Sequence, residues 1–289
     1  MDPNIKNINL QLDNVEVLTT GTAAEFVNGI LDFLLFQRRQ IPFVYKTYKY
    51  YVEKWSDEAE LNERDSFSHY QLNQQRSRAK ATKESISDMR ELIRHTFRTS
   101  DVKSIRFLFG TNTFMPTESY TLHIPHDSIS RHHYCEHHAL PEGRINQSLL
   151  RLLTCEELYT LFSTELNATN VFLEMELFKD VENTHEKQQE TGNWIPKDVL
   201  SKLPRSCKNV HLHLLYEHDS AAAELRCCRQ LDIYEDLGLL KLDNSEEECD
   251  KSRHCGQSSK ESSGWWQAEV IVRGFKTPAN QKATDLWTS

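Results

Sequence analysis

The segment that most constrains the fold comes late in the chain. GWWQAEVIVRGFK, Gly264 to Lys276, places two adjacent tryptophans and an alternating apolar run after the acidic stretch DNSEEECDKSRHCGQSSKESS, Asp243 to Ser263. That acidic stretch holds almost no apolar residues and is expected to be disordered. Strict alternation over Trp265 to Val272 reads as a strand with one face to bury. A strand that follows a long polar excursion must return to a sheet already formed by earlier parts of the chain. Longer slack before it adds little cost, because closure entropy grows only logarithmically with length.

The remaining pattern supplies such a sheet and its cover. Thr22 to Glu25 has the T-x-x-E form of a capping box, and Phe26, Val27, Ile30, Phe33 and Leu34 follow at helical spacing. This helix runs into FQRRQIPF, where Pro42 enforces a break or kink. Tyr45, Tyr48 and Val52 suggest a further helical stretch. Residues 57–80 are polar and expected to form a mobile loop, with a second helix from about Thr82 carrying Ile86, Met89, Ile93 and Phe97 on one face. Ser104–Phe109 and Ser119–Ile124 alternate around a turn and read as a hairpin. A third amphipathic helix is expected over 145–166, using Leu149, Leu152, Leu153, Leu161 and Phe162. Val171–Phe178 and Val210–Tyr216 read as strands, with Trp194, Ile195, Pro196 and Lys197 in a polar loop between them. Two helices, a hairpin, a helix and separated strands predict an α+β fold, with helices packed on a mainly antiparallel sheet. The expected organisation is a tail over 1–20, one domain over 21–276 and a second tail over 277–289.

Composition narrows the function. A net charge of −9 over 289 residues argues against a broad nucleic-acid or anionic-membrane surface. No apolar run approaches the roughly 18–20 residues of a membrane span. Seven irregularly spaced cysteines, without the pattern of a secretory signal, fit reduced thiols in cytosol or nucleus. There is no P-loop, dinucleotide fingerprint or nucleophile elbow, so an enzyme and a cofactor are not expected.

The densest chemical cluster is HHYCEHH, with His132, His133, Cys135, His137 and His138, and His123 and His126 just upstream. These are zinc-ligand types. Their spacing matches no paired-cysteine or helical zinc motif, so a polar surface loop is the favoured reading. A zinc-structured domain or zinc enzyme stays open as the alternative. Arg38 and Arg39 read as a solvated helix end, where cations favour the C-terminal dipole. Gln37, a neutral amide on an otherwise apolar helix, suits a specific polar contact at an interface.

Taken in order, ILDFLLFQRRQIP (Ile30–Pro42), IRFLFGTNTFMPTESYTLHI (Ile105–Ile124) and WWQAEVIVRGFK resemble the HORMA-domain family of the Mad-two type, most closely its Mad-two-binding members. The resemblance spans about Gly21 to Lys276 and rests on the joint order of these segments rather than on any single motif. It implies a HORMA-like fold closed by a C-terminal safety-belt strand, with Trp265, Trp266, Val270 and Val272 in the chain's own ligand groove. It implies a non-enzymatic adaptor that binds closed Mad-two and presents it to a hexameric AAA+ remodelling ATPase of the pachytene-checkpoint type. It further implies that mitotic checkpoint complexes are thereby disassembled and the spindle checkpoint silenced, in nucleus and cytoplasm and at the spindle or kinetochore. It places Gln37, Arg38, Arg39, Leu153 and Thr154 on the Mad-two face, and Pro196 and Lys197 toward the ATPase. The family carries an aromatic where this sequence has Leu153–Thr154. Tyr159 and Phe162 are the aromatics nearby, so the contact can be shifted along the helix. This chain is also one residue shorter at Pro196–Lys197. A HORMA module that captures a partner's peptide is the competing reading.

Overall fold

The computed structural model describes residues 5–12, 15, 17–58, 67–129, 142–178, 194–197, 203–216, 263–276 and 286–287. Within these, seven strands form one sheet, accompanied by five α-helices and a single 3-10 turn at His126–Ser128. The strands are β1 (Ile5–Gln11), β2 (Val102–Gly110), β3 (Pro116–His123), β4 (Asn170–Phe178), β5 (Trp194–Lys197), β6 (Lys208–Leu215) and β7 (Ser263–Arg273). Their spatial order is β1-β6-β3-β2-β4-β7-β5. β6 pairs in parallel with β1 and β3, and every other neighbouring pair is antiparallel. The chain is therefore α+β with a mainly antiparallel sheet.

The helices are α1 (Thr20–Gln37), α2 (Tyr45–Glu58), α3 (Phe67–Thr99), α4 (Glu142–Thr154) and α5 (Glu156–Phe162). One hydrophobic cluster joins them to the sheet. Val27, Ile30 and Leu34 of α1 and Ile86, Met89 and Ile93 of α3 share it with Phe107, Tyr120, Leu173, Leu212 and Val272 of five strands. Alternation puts Arg106, Thr121, Glu174, His211 and Trp265 on the opposite face.

Several elements differ from the sequence reading. Residues 5–11, assigned to a tail, form β1, and Ile8, Leu10 and Leu12 are buried at period two. Their alternation was a legible strand signal. α1 is capped by Thr19, whose Oγ1 accepts from the Thr22 N–H at 3.1 Å. Thr22 lies within the helix, and Glu25 instead pairs with Arg94 of α3 at 2.5 Å. The polar stretch from Phe67 to Lys80 extends α3 to 33 residues. Its helix formers carry few apolar side chains, so the turn is held by Ala79, wholly buried, whose carbonyl accepts from Tyr48 Oη at 2.9 Å. The expected third helix is two, divided at Cys155, which has extended backbone angles. Trp194–Lys197 is not loop but the edge strand β5, tolerating Pro196 as an edge can.

β7 lies between β4 and β5, so both its edges are paired. Trp266 stands opposite Met175, and Trp265 opposite Glu176. The two indoles therefore leave opposite faces of the sheet, and both are half-buried. A register shift between Phe172 and Glu174 precedes Val272, which is fully buried, while Val270 packs at the edge of the core. Gly274 ends the strand where backbones converge. A Cβ there would collide with Gln40 Oε1 and lie 3.0 Å from the Thr169 carbonyl. The acidic stretch Asp243–Ser262 and most of 277–289 lie outside the described residues. Leu286 and Trp287 are described, and both are buried, so that segment is not a free tail throughout.

Candidate partner-binding surface

The C-terminal end of α1 organises the candidate site. Arg39 N–H donates to the Phe36 carbonyl at 3.0 Å and Gln40 N–H to the Leu35 carbonyl at 2.8 Å. This is the Schellman pattern, and it needs a left-handed residue after the cap. Arg39 fills that position with φ 54°, where glycine is the usual choice. The helix thus ends at Gln37, several residues before Pro42, and the reversal aims three neighbouring side chains in three directions.

Arg38 turns inward. Its guanidinium meets the Glu118 carboxylate through Nε and Nη2, both at 2.8 Å, and donates through Nη1 to the Thr164 carbonyl at 3.0 Å. Both side chains of the ion pair are 1% exposed. Tyr120 Oη also donates to Glu118, at 2.8 Å, and burial holds that phenol well above its ordinary pKa. Arg38 is therefore a buried tie between α1, β3 and the end of α5. This corrects its assignment to a solvated, partner-facing position. Arg39 is exposed and pairs with Glu165.

Gln37 is half-buried and lines a surface cleft of about 430 Å³ with Phe36, Ile41 and Pro42. Phe275 and Lys276, just past β7, close its other side. The amide that makes specific buried contacts is a different one, Gln40. It is fully buried, donates to the Arg38 carbonyl at 2.7 Å and accepts from the Thr169 N–H at 2.8 Å. Its own carbonyl accepts from Phe275 N–H at 2.7 Å. Gln40 thus ties the end of α1 to the start of β4 and the end of β7. Nothing in its local sequence marks it, because Thr169 and Phe275, the partners it ties together, lie more than a hundred residues away.

Leu153 is 44% exposed and Thr154 is exposed, at the end of α4. The structure sets α5, not this position, against the end of α1. Phe33 packs edge-on to Phe162 with centroids 5.8 Å apart, and Arg38 reaches the carbonyls of Leu161 and Thr164. Tyr159 of α5 is 70% exposed and is the large aromatic that this helix presents to solvent. Exposed Phe36 and half-buried Gln37 of α1, and exposed Tyr159 of α5, have the aromatic and amide character of protein-binding anchors.

The remaining sequence candidates fall elsewhere. Pro196 is exposed on β5, whereas the Lys197 ammonium is paired with Glu174, a fully buried carboxylate that also receives Arg106 Nη1 at 3.3 Å. The Arg106 guanidinium lies 4.1 Å from the Trp265 ring centroid. These contacts fasten β7 from the far face of the sheet. His132, His133, Cys135, His137 and His138 lie outside the described residues. Among the described residues no group of three His, Cys, Asp or Glu side chains is placed to hold a metal. His123 instead stacks with His213 and His211, at centroid separations of 4.5 and 5.3 Å. His126 sits 4.5 Å from the Phe178 ring. No family model matches this chain, and no curated protein matches it significantly.

Proposed function

We propose that this chain is a HORMA-type adaptor of the comet kind, which binds closed Mad-two and presents it to a hexameric AAA+ remodelling ATPase. The observation that carries the reading is the cleft that Phe36 and Gln37 of α1 line with Phe275 and Lys276, together with the exposed Tyr159 of α5, on an α+β frame whose late strand has a neighbour on each side. Phe36 and Tyr159 supply apolar area and Gln37 a neutral hydrogen-bonding group. Lys276 gives the rim a positive charge suited to an acidic partner edge, Arg39 being paired with Glu165.

The double pairing of β7 favours the self-liganded form over peptide capture. The strand would have to leave β4 and, over Trp265–Ala268, β5 as well before a foreign peptide could take its place. Pro196 remains the candidate ATPase contact, with Lys197 serving first to hold Glu174.

Size-exclusion co-elution with closed Mad-two tests the proposal. Wild type should co-elute at micromolar concentration, and Gln37→Ala and Tyr159→Ala should each weaken the complex at least ten-fold without lowering the melting temperature. Absence of any wild-type complex would reject the adaptor reading. Binding unaffected by both substitutions would keep the partner and reject this surface.

A further inference from the structure

Leu286 and Trp287 lie ten residues beyond the last described residue of the β7 segment, yet Leu286 is 1% exposed and Trp287 7%. The Trp287 indole enters a basket of five aromatic rings. Trp55 is nearest, with centroids 4.7 Å apart, followed by Phe43 at 5.1 Å, Tyr48 at 5.7 Å, Tyr51 at 6.0 Å and Phe275 at 6.1 Å. Three of these belong to successive turns of α2, so the helix offers one aromatic face to one inserted side chain.

The basket has the composition of a peptide pocket. It is concave and aromatic, with few polar groups. Among the described residues, buried Trp55 Nε1 meets no acceptor. Arg76 stands 5.3 Å from the same ring, placing a cation beside it. The inserted residues are Leu286 and Trp287.

We propose that the aromatic face of α2 is a binding site for short peptides bearing a Leu-Trp pair, and that Leu286–Trp287 occupies it in cis. Nine residues separate Lys276 from Leu286. Tethers of that length hold a ligand at effective concentrations in the millimolar range, so an intrinsic dissociation constant of about 0.1 mM suffices for occupancy of about 90%. Such an interaction is reversible, and a partner carrying the same motif competes with the chain's own. The site rests on the ring geometry and is independent of the function proposed for α1 and α5.

The test uses the full-length Trp287→Ala chain and a fluorescein-labelled peptide of residues 281–289. The variant should keep its circular-dichroism spectrum and cooperative melt. It should bind the peptide saturably, at least ten-fold more tightly than wild type, whose site is filled. A peptide with alanine in place of its own tryptophan should not bind. Equal binding to wild type and variant would place the peptide elsewhere and overturn the proposal. So would absence of binding to a folded variant. A variant that fails to fold would show the indole to be integral core rather than a docked ligand, and would also overturn it.

Discussion

Arg38 and Glu118, eighty residues apart in sequence, form a two-point ion pair with both hydrogen bonds at 2.8 Å and neither side chain exposed by more than 1%. The pair is the only polar route by which the end of α1 grips the hairpin strand β3 among the hydrogen bonds described. Removing one partner strands a buried charge. Arg38→Met should therefore cost about 3–5 kcal/mol of stability. Arg38→Lys should recover only part of it, because an ammonium cannot match the planar fork. Urea melts of the two variants check this. The double change Arg38→Met with Glu118→Leu should be far less damaging than the sum of the single ones.

Arg39 occupies the left-handed position that completes the helix stop. A non-glycine residue there is strained, so Arg39→Gly should stabilise the fold by about 1 kcal/mol. The exposed pairing with Glu165 is a small loss against that gain. A rise in the chemical midpoint with an unchanged slope is the expected result, and a fall would show that the exposed pair matters more than the backbone.

Gly274 is held where α1, β4 and β7 converge, and its own N–H donates to the Thr169 carbonyl at 2.8 Å. A methyl group has no room beside Gln40 Oε1. Gly274→Ala should destabilise by about 1–3 kcal/mol through overpacking. Gln40→Ala in the same background should make the alanine cheaper, and a double-mutant cycle measures that coupling.

His123 is pulled down to about 4 by burial first, with His213 and His211 adding repulsion. Its neutral form is the folded form. The unfolded chain takes up a proton near pH 6.5. The stability contributed by neutral His123 is complete above that pH and is lost as pH falls from about 6.5 to about 4. The ring is about half-exposed, so the loss should be held to about 1–2 kcal/mol. Asp32 runs the opposite way in the same window. Burial pushes it up to about 6, against the pull of Arg90, so protonation there relieves the fold as pH falls. The His123 contribution is therefore read as wild type minus His123→Gln across pH 7 to 4. A difference that does not change with pH would contradict it.

The α+β class, the hairpin, the strands around Val171 and Val210 and the late strand were all legible, because each repeats apolar residues at the period its own backbone imposes. β1 carried the same signal in Ile8, Leu10 and Leu12 and could have been read. The first half of α3 could not be read by period, since its helicity rests on Tyr48 and Trp55 packing beside it from α2. The WIPK segment offered no strand pattern either. It is a strand because β7 presents an open edge to it.

The site divides along the same line. Gln37 and the exposed character of Arg39 followed from their place at a helix end. The inward turn of Arg38 and the choice of Gln40 as the tying amide did not.

By itself the sequence determined which segments are regular, which faces are apolar and that a strand must return to the sheet from beyond Asp243. Those are local properties, set by side-chain periodicity and turn chemistry. Only the tertiary structure decided where β7 enters the sheet, which arginine is buried and what covers the aromatic face of α2. Each of those depends on groups brought together from distant positions, and the free energy of a buried charge, amide or indole is set by the neighbours it meets rather than by the residues beside it in the chain.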